Sequence, residues 1–203
     1  MTSGESTAPG TAVRPALSLN PIFRKAILLA THNRLVARFV RRYGMRLGGS
    51  RFVAGETLDQ AIESLRALEE SCLWTNTTLL GEGVDDEAEA ARVVAAYVEV
   101  LDRIAGAGLR TNIALKLTHL GLDVSEEVAF ANVQALVRHA TTHRNFIRID
   151  MEESAWVDAT LRIYRRLREA GYVNVGTVLQ SALYRTERDL DGLLPLAPNL
   201  RLV

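Results

Sequence analysis

The chain has 203 residues, 48% of them apolar, and its 24 acidic and 24 basic residues give a formal net charge of zero at pH 7. This length can bury a sizeable core, and the balanced charge gives no overall field for nucleic acid or an anionic membrane. The single cysteine, Cys72, excludes an intramolecular disulfide. The apolar neighbours of Cys72 predict that this residue is buried. Composition and charge together predict a soluble, globular protein that does not bind nucleic acid.

Three regions follow one another along the chain. Residues 1–17 are rich in Ser, Thr, Gly, Pro and Ala, which predicts a disordered tail. Residues 18–50 carry apolar side chains at helical spacing with Arg and Lys on the other face, which predicts an N-terminal helical segment. In the third region, residues 51–203, a capping box at Thr57–Gln60 predicts a helix that continues to about Ser71.

The third region then repeats a unit made of a short apolar run, a loop and a helix. The predicted strands are Thr75–Leu80, Asn112–Leu117, Phe146–Asp150, Val175–Gln180 and Leu200–Val203. Their spacing of roughly 30 residues is that of a βαβ unit, so the sheet is predicted to be parallel. An open doubly wound sheet or an eightfold barrel would fit, and the lack of G-x-G-x-x-G after the first strand weakens a dinucleotide-binding fold.

Polar residues stand at the carboxyl ends of successive predicted strands, where ligands bind in parallel α/β folds. Lys116 ends the second strand, Asp150 the third and Gln180 the fourth, while Arg201 lies in the fifth. A lysine or aspartate in an apolar strand is costly unless it is paired or functional. The four residues predict a site, although Lys116 could instead form a salt bridge with Asp150 or Glu82.

Other candidates are weaker. Glu82 could cap a helix or belong to the site, and His119 is interpreted as a surface or loop histidine. Trp74 and Trp156 are expected in the core or at an interface. No metal site is predicted, since the remaining histidines share no metal-ligand spacing with any cysteine or acid; they are His32, His139 and His143.

Six stretches occur in a characteristic order over about residues 20–203. They are Arg51-Phe-Val-Ala-Gly-Glu56, Leu79-Leu-Gly-Glu82, Leu115-Lys-Leu-Thr118 with Leu120-Gly-Leu-Asp123, Ile149-Asp-Met-Glu-Glu153, Val178-Leu-Gln180 and Leu200-Arg-Leu-Val203. In these stretches the chain resembles the proline dehydrogenase family, including the catalytic barrel of bifunctional proline utilization A proteins. Each motif alone is weak, but the ordered series is specific.

The resemblance implies a distorted (β/α)8 TIM-like barrel that holds FAD and oxidises L-proline to 1-pyrroline-5-carboxylate. It also implies electron transfer to a membrane quinone, by a cytoplasmic protein that associates peripherally with the inner face of the membrane. Lys116 would then lie beside the substrate carboxylate, and Asp150 would be the active-site aspartate. Gln180 would bind the isoalloxazine, Arg201 would lie near flavin N5, and Val203 would line the flavin edge.

The chain also departs from the family pattern. Thr78 stands where an acid is usual, and Ala182 stands where many members carry an aromatic residue. We count about four and a half βα units against the eight of a complete barrel. The family's substrate-clamping tyrosine and arginine pair have no counterpart here. We therefore expect an incomplete barrel, preceded by N-terminal helices, that is inactive by itself.

Two alternatives stay open. A class I aldolase barrel could use Lys116 to form a Schiff base, because a lysine in apolar surroundings can have a depressed pKa. A barrel fragment could also act without catalysis, as a binding or scaffold module with exposed sheet edges.

Overall fold

A computed structural model of the chain describes residues 53–203, of which 54–203 form one unit. The predicted tail (1–17) and the predicted N-terminal helical segment (18–50) lie outside the described residues.

The core of the fold is a five-stranded parallel sheet in which strand order follows chain order. Its strands are β1 (Asn76–Thr77), β2 (Asn112–Leu115), β3 (Ile147–Ile149), β4 (Val175–Leu179) and β5 (Leu200–Leu202). The register pairs Ile113 with Ile147, Ile147 with Val175, and Thr177 with Leu200. The prediction of an α/β fold with a parallel sheet is confirmed.

A helix precedes or follows each strand. The helices are α1 (Leu58–Glu70), α2 (Glu87–Gly106), α3 (Glu126–Thr142), α4 (Val157–Glu169) and α5 (Thr186–Leu193). Short 3-10 segments cover Thr118–Leu120, Ser154–Trp156 and Leu194–Leu196. None of the helices in this described part of the chain combines the length and apolar character needed to span a lipid bilayer.

Local sequence sets the helix starts. The capping box is confirmed: the Thr57 side chain accepts a hydrogen bond from the backbone N–H of Gln60, whose own side chain accepts from the Glu56 N–H at 3.0 Å. Asp86 and Ser125 cap α2 and α3 in the same way, each accepting a backbone N–H at 3.1 Å. These caps satisfy donors that have no partner inside the first helical turn.

Strand β3 alternates between a buried apolar side and a more polar side. Ile147 and Ile149 are fully buried, whereas Arg148 between them and Asp150 after them are partly exposed. Arg148 reaches across β4 and donates to the backbone and side-chain oxygens of Asn199, at 3.0 and 2.7 Å. Period-two alternation thus separates the helix-packed core from a polar face that carries Asp150.

The prediction that Cys72 is buried is wrong, because this residue lies exposed in the turn between α1 and β1. Trp74 has 77% of its surface exposed and so lies outside the core, and its alternative place at an interface stays a prediction. The chain bends back at the end of α1, where the Leu73 N–H donates to the Leu68 carbonyl at 3.1 Å. This turn places the Cys72–Trp74 run at the surface, with the Arg110 guanidinium 4.7 Å from the Trp74 ring centroid.

Candidate active site

The candidate site lies at the carboxyl end of the sheet, where β2, β3 and β4 each stop just before a polar residue. Lys116 directly follows β2, Asp150 follows β3 and Gln180 follows β4. Parallel strands end at one edge, so residues that are far apart in sequence become neighbours here. Arg201 lies within β5, and its backbone pairs with Val178 of β4.

Lys116 and Glu82 form an ion pair across the ends of β2 and β1, with a direct hydrogen bond between ammonium and carboxylate. The bond to Glu82 raises the pKa of Lys116 above its ordinary value, against the opposing effect of burial. Lys116 in turn lowers the pKa of Glu82. Of the two roles open to Glu82, the structure favours the site.

Asp150 and Arg201 form a second ion pair, which spans from β3 to β5 past the intervening β4. Burial raises the pKa of Asp150, and the charge of Arg201 opposes that rise. The Asp150 side chain is 24% exposed and that of Arg201 is 43% exposed. The arginine therefore keeps an open side while its guanidinium is oriented by the carboxylate.

Gln180 directly follows β4 and Val203 directly follows β5, and the Val203 backbone bonds to the residues on either side of Gln180. Val203 donates its N–H to the Leu179 carbonyl at 3.0 Å, and its own carbonyl accepts from the Ser181 N–H at 2.6 Å. The Thr186 hydroxyl donates to the Gln180 carbonyl. These bonds hold the loop after β4, while Val203 keeps 58% of its surface exposed.

A cavity of about 480 Å³ opens at this edge. Its lining combines charged, amide and apolar groups, including Glu82, Lys116, Met151, Glu152, Trp156 and Gln180. Its volume lies within the usual range for small-molecule sites, about 300–1,000 Å³. Asp150 and Arg201 are not among the described residues that line it, so the predicted residues share one edge but not one cavity.

Glu152 is a site residue that sequence reasoning missed. Its carboxylate accepts the Thr118 backbone N–H at 3.1 Å and also the Thr118 hydroxyl. These bonds tie the loop after β3 to the turn that follows Lys116, and the Glu152 charge helps to raise the pKa of Lys116. Its place in the run Asp150–Glu153 was a signal, since that run follows the end of β3.

The interpretation of His119 as a surface or loop residue is wrong, because the side chain is buried with a relative exposure of 9%. Its ring packs so closely on Gly81 that a Cβ at that position would collide with the imidazole. Burial lowers the pKa of His119, and the charge of Lys116 lowers it further. A neutral imidazole therefore supports the chain just before Glu82.

The residues at the β4 and β5 ends fit a flavin by their chemistry. An amide at Gln180 and a guanidinium at Arg201 supply hydrogen-bond donors, which suit a ring system that gains electron density on reduction. Leu202 and Val203 are 66% and 58% exposed and offer apolar surface beside those donors. This arrangement suits a group that is polar along one edge and apolar across its face.

The electrostatics of Lys116 do not support Schiff-base chemistry. A nucleophilic lysine needs a depressed pKa so that some of it is neutral near pH 7. The pKa of Lys116 is instead raised by Glu82. The residue is held as a cation.

Comparison with known proteins identifies the family of the chain. The family model described as proline dehydrogenase matches residues 61–201. Proline dehydrogenase 1 of Bacillus subtilis is 36% identical over 182 residues, which cover 90% of this chain and 60% of that protein. Proline dehydrogenase of Deinococcus radiodurans is 33% identical over 189 residues, covering 91% and 61%. The chain thus spans about three fifths of the length of these relatives.

Solved structures of larger proteins share the fold. Proline utilization A from Bdellovibrio bacteriovorus, inactivated by N-propargylglycine, superposes with a TM-score of 0.69 at 21% identity, over 91% of this chain and 25% of that one. A Bradyrhizobium japonicum proline utilization A variant gives a TM-score of 0.61 at 25% identity, over 83% and 21%. The sheet corresponds to part of a TIM-like barrel, and by its matched sequence the chain belongs to the proline dehydrogenase family.

Proposed function

We propose that the protein oxidises L-proline to 1-pyrroline-5-carboxylate with FAD as its cofactor and passes the electrons to a membrane quinone. The observation that carries the proposal is the meeting of Lys116, Asp150, Gln180 and Arg201 at the same edge of consecutive parallel strands. The relatives that match most of the chain are named proline dehydrogenases, which supports the same reaction.

Lys116 is proposed to bind the proline carboxylate. Its side chain is 39% exposed and lines the cavity, and its raised pKa keeps it charged. Glu82 is mostly exposed, so a substrate carboxylate can exchange with it without burying an unpaired acid. A charge-assisted hydrogen bond would then orient the ring for loss of hydride from the carbon beside nitrogen.

Asp150 and Arg201 are proposed to act together on the cofactor side. The carboxylate orients the guanidinium, whose open side can donate hydrogen bonds to a flavin. Gln180 adds an amide donor from the end of β4, and Val203 adds apolar contact. When bound, the flavin supplies the electron acceptor for the hydride. A membrane-dissolved quinone as the next acceptor would bring the protein from the cytoplasm to the inner face of the membrane.

The test measures proline-dependent reduction of a quinone analogue by the native polypeptide that contains these residues, purified with FAD. We expect flavin absorbance to bleach on anaerobic addition of proline and to return on addition of quinone. The isolated 203-residue chain is expected to show no turnover. If the native polypeptide takes up no flavin, or if bound flavin is not bleached by proline, the proposal fails.

The aldolase alternative is tested in the same preparation. Borohydride added with a carbonyl substrate would trap a covalent adduct on Lys116 if that residue formed Schiff bases. We expect no adduct by mass spectrometry. A Lys116 adduct together with unbleached flavin would establish the alternative.

A further inference from the structure

A cluster of three potential metal ligands lies between α2 and α3, outside the candidate active site. Asp102 on α2 faces His139 on α3 and His143 at the end of α3. The Nε2 atoms of both histidines lie 2.7 Å from the same oxygen, Asp102 Oδ1. All three ligand atoms lie within 4.8 Å of one another.

We propose that Asp102, His139 and His143 bind a divalent transition-metal ion of the zinc class. Imidazole nitrogens with one carboxylate are a ligand set that Zn²⁺ accepts, with water completing the tetrahedron. Zinc bonds of about 2.0–2.1 Å place tetrahedral ligand atoms roughly 3.4 Å apart. Side-chain movements of less than about 1 Å would therefore separate the three ligand atoms enough for an ion to bind between them.

Several features favour a cation at this point. The two histidines are four residues apart, so they share one helix face. His143 occupies the C-cap of α3, where the helix dipole is negative. The neighbouring Arg103 is paired with Asp59, which leaves the Asp102 carboxylate to the histidines. The three side chains are 28–51% exposed, so an ion can reach them from solvent.

The position of the cluster indicates a structural role. Asp102 and the histidines lie near the C-terminal ends of helices that lead into β2 and β3, at the opposite end of the strands from Lys116 and Asp150. In barrels this end contributes stability, whereas the carboxyl end of the strands carries catalysis. A bound ion would join two consecutive βα units and stabilise the fold.

The first test is isothermal titration of the tag-free full chain with Zn²⁺ near neutral pH in a non-chelating buffer. We expect one ion per chain. The double variant His139→Gln with His143→Gln should bind at least about 100-fold more weakly, beyond the loss typical of outer-shell partners. Glu99→Gln is the control, because it removes an acid from the same helix without touching the cluster. Absence of binding, or unchanged binding in the double variant, overturns the proposal.

The second test is thermal unfolding, which separates a metal site from a hydrogen-bonded cluster that needs no ion. At a Zn²⁺ concentration about 100-fold above Kd, we expect the native chain and Glu99→Gln to gain roughly 5–10 °C in Tm. The double variant should gain nothing. If Zn²⁺ leaves the native Tm unchanged, the cluster is a set of hydrogen bonds and the proposal fails.

Discussion

Lys116 directly follows β2, and its cationic state follows from its pairing with Glu82. The substitution Lys116→Ala should raise KM for proline by about 10–100-fold, because it removes a charge-assisted hydrogen bond of about 1.5–3 kcal/mol. FAD affinity should change less than about threefold, since the residue is proposed to contact the substrate. Steady-state kinetics and flavin titration of the native polypeptide measure the two effects.

The control for Lys116 is Arg138→Ala, which removes an exposed cation from α3. This variant should leave both KM and flavin affinity unchanged. An unaltered KM for proline in Lys116→Ala would contradict the assignment of Lys116 to the substrate carboxylate.

Asp150 is held as a carboxylate in partly buried surroundings, which raises its pKa despite the charges of Arg201, Arg148 and Lys116. A folded-state pKa above the unfolded value, about 3.9, means that stability falls as pH rises between the two values. At pH 7 the Asp150 carboxylate is charged, so the full free-energy cost of burying that charge lowers the stability of the fold. The variant Asp150→Asn should therefore raise Tm by roughly 1–4 °C at pH 7, and the same substitution in the native polypeptide should abolish proline oxidation.

The pH dependence of the Tm difference distinguishes the removal of a buried charge from a general gain in packing. Below about pH 3.9 the native carboxyl is itself protonated, so the difference in Tm between Asp150→Asn and the native chain should shrink toward zero. A variant that is less stable than the native chain at pH 7 would show that the bond to Arg201 outweighs the burial cost.

The sequence identified candidate site residues by the positions where apolar runs stop. Lys116, Asp150 and Gln180 were singled out as polar residues at the ends of predicted apolar strands, and in the structure each directly follows its strand. Glu152 and His119 were harder because their partners are distant: Glu152 binds Thr118, 34 residues away, and His119 packs on Gly81. Such pairs depend on the path of the loops at the carboxyl end of the sheet. Local sequence patterns do not specify that path.

Among the strands, β4 carries a glycine that allows a side chain to cross it. A Cβ added at Gly176 would lie 2.5 Å from Arg148 Nη1 and 2.6 Å from the Asn199 carbonyl. The variant Gly176→Ala should therefore displace Arg148 from Asn199 and cost about 1–3 kcal/mol of folding free energy. It should also weaken flavin binding, because Asn199 leads directly into β5 and Arg201.

Gly106→Ala is the matched control, since a Cβ there would meet nothing within 4 Å. It lies at the end of α2 and should leave stability unchanged or slightly raised. Urea unfolding and flavin titration of both variants provide the measurement. Equal stability of the two variants would mean that β4 tolerates a side chain at this position.

Element type and order were predictable because buried strands and capped helices leave strong local patterns. The predicted strands run past the observed ones: β2 ends at Leu115 instead of Leu117, since Leu117 begins the turn into the Thr118–Leu120 segment. Helix α3 continues to Thr142, beyond the predicted His139. The proximity of Asp102 to His139 and His143 could not be predicted, because Asp102 reaches the histidines only through packing of α2 on α3.

For the whole molecule, β1 and β5 each pair with one neighbour among the described strands. On the β5 edge Leu202 is 66% exposed, and the chain carries no net charge to oppose association. The isolated 203-residue chain should therefore self-associate with increasing concentration, and Leu202→Lys should reduce that association. Light scattering across a concentration series measures it.

The control is Leu68→Lys, which adds the same charge on α1, where Leu68 is 41% exposed. This variant should associate nearly as strongly as the native chain, because a helix surface has no unpaired backbone groups. Monomeric behaviour of the native chain at all concentrations would contradict the role given to the sheet edge.

The span of the second ion pair has a consequence for synthesis on the ribosome. Glu82 lies in the loop after β1 and Lys116 directly follows the adjacent β2, so they can meet as soon as β2 has emerged. Asp150 directly follows β3 but takes its partner from β5, with α4, β4 and α5 made in between. During translation Asp150 therefore cannot pair with Arg201 until the fifth strand has been made, so this ion pair is among the last contacts that the described sheet can form.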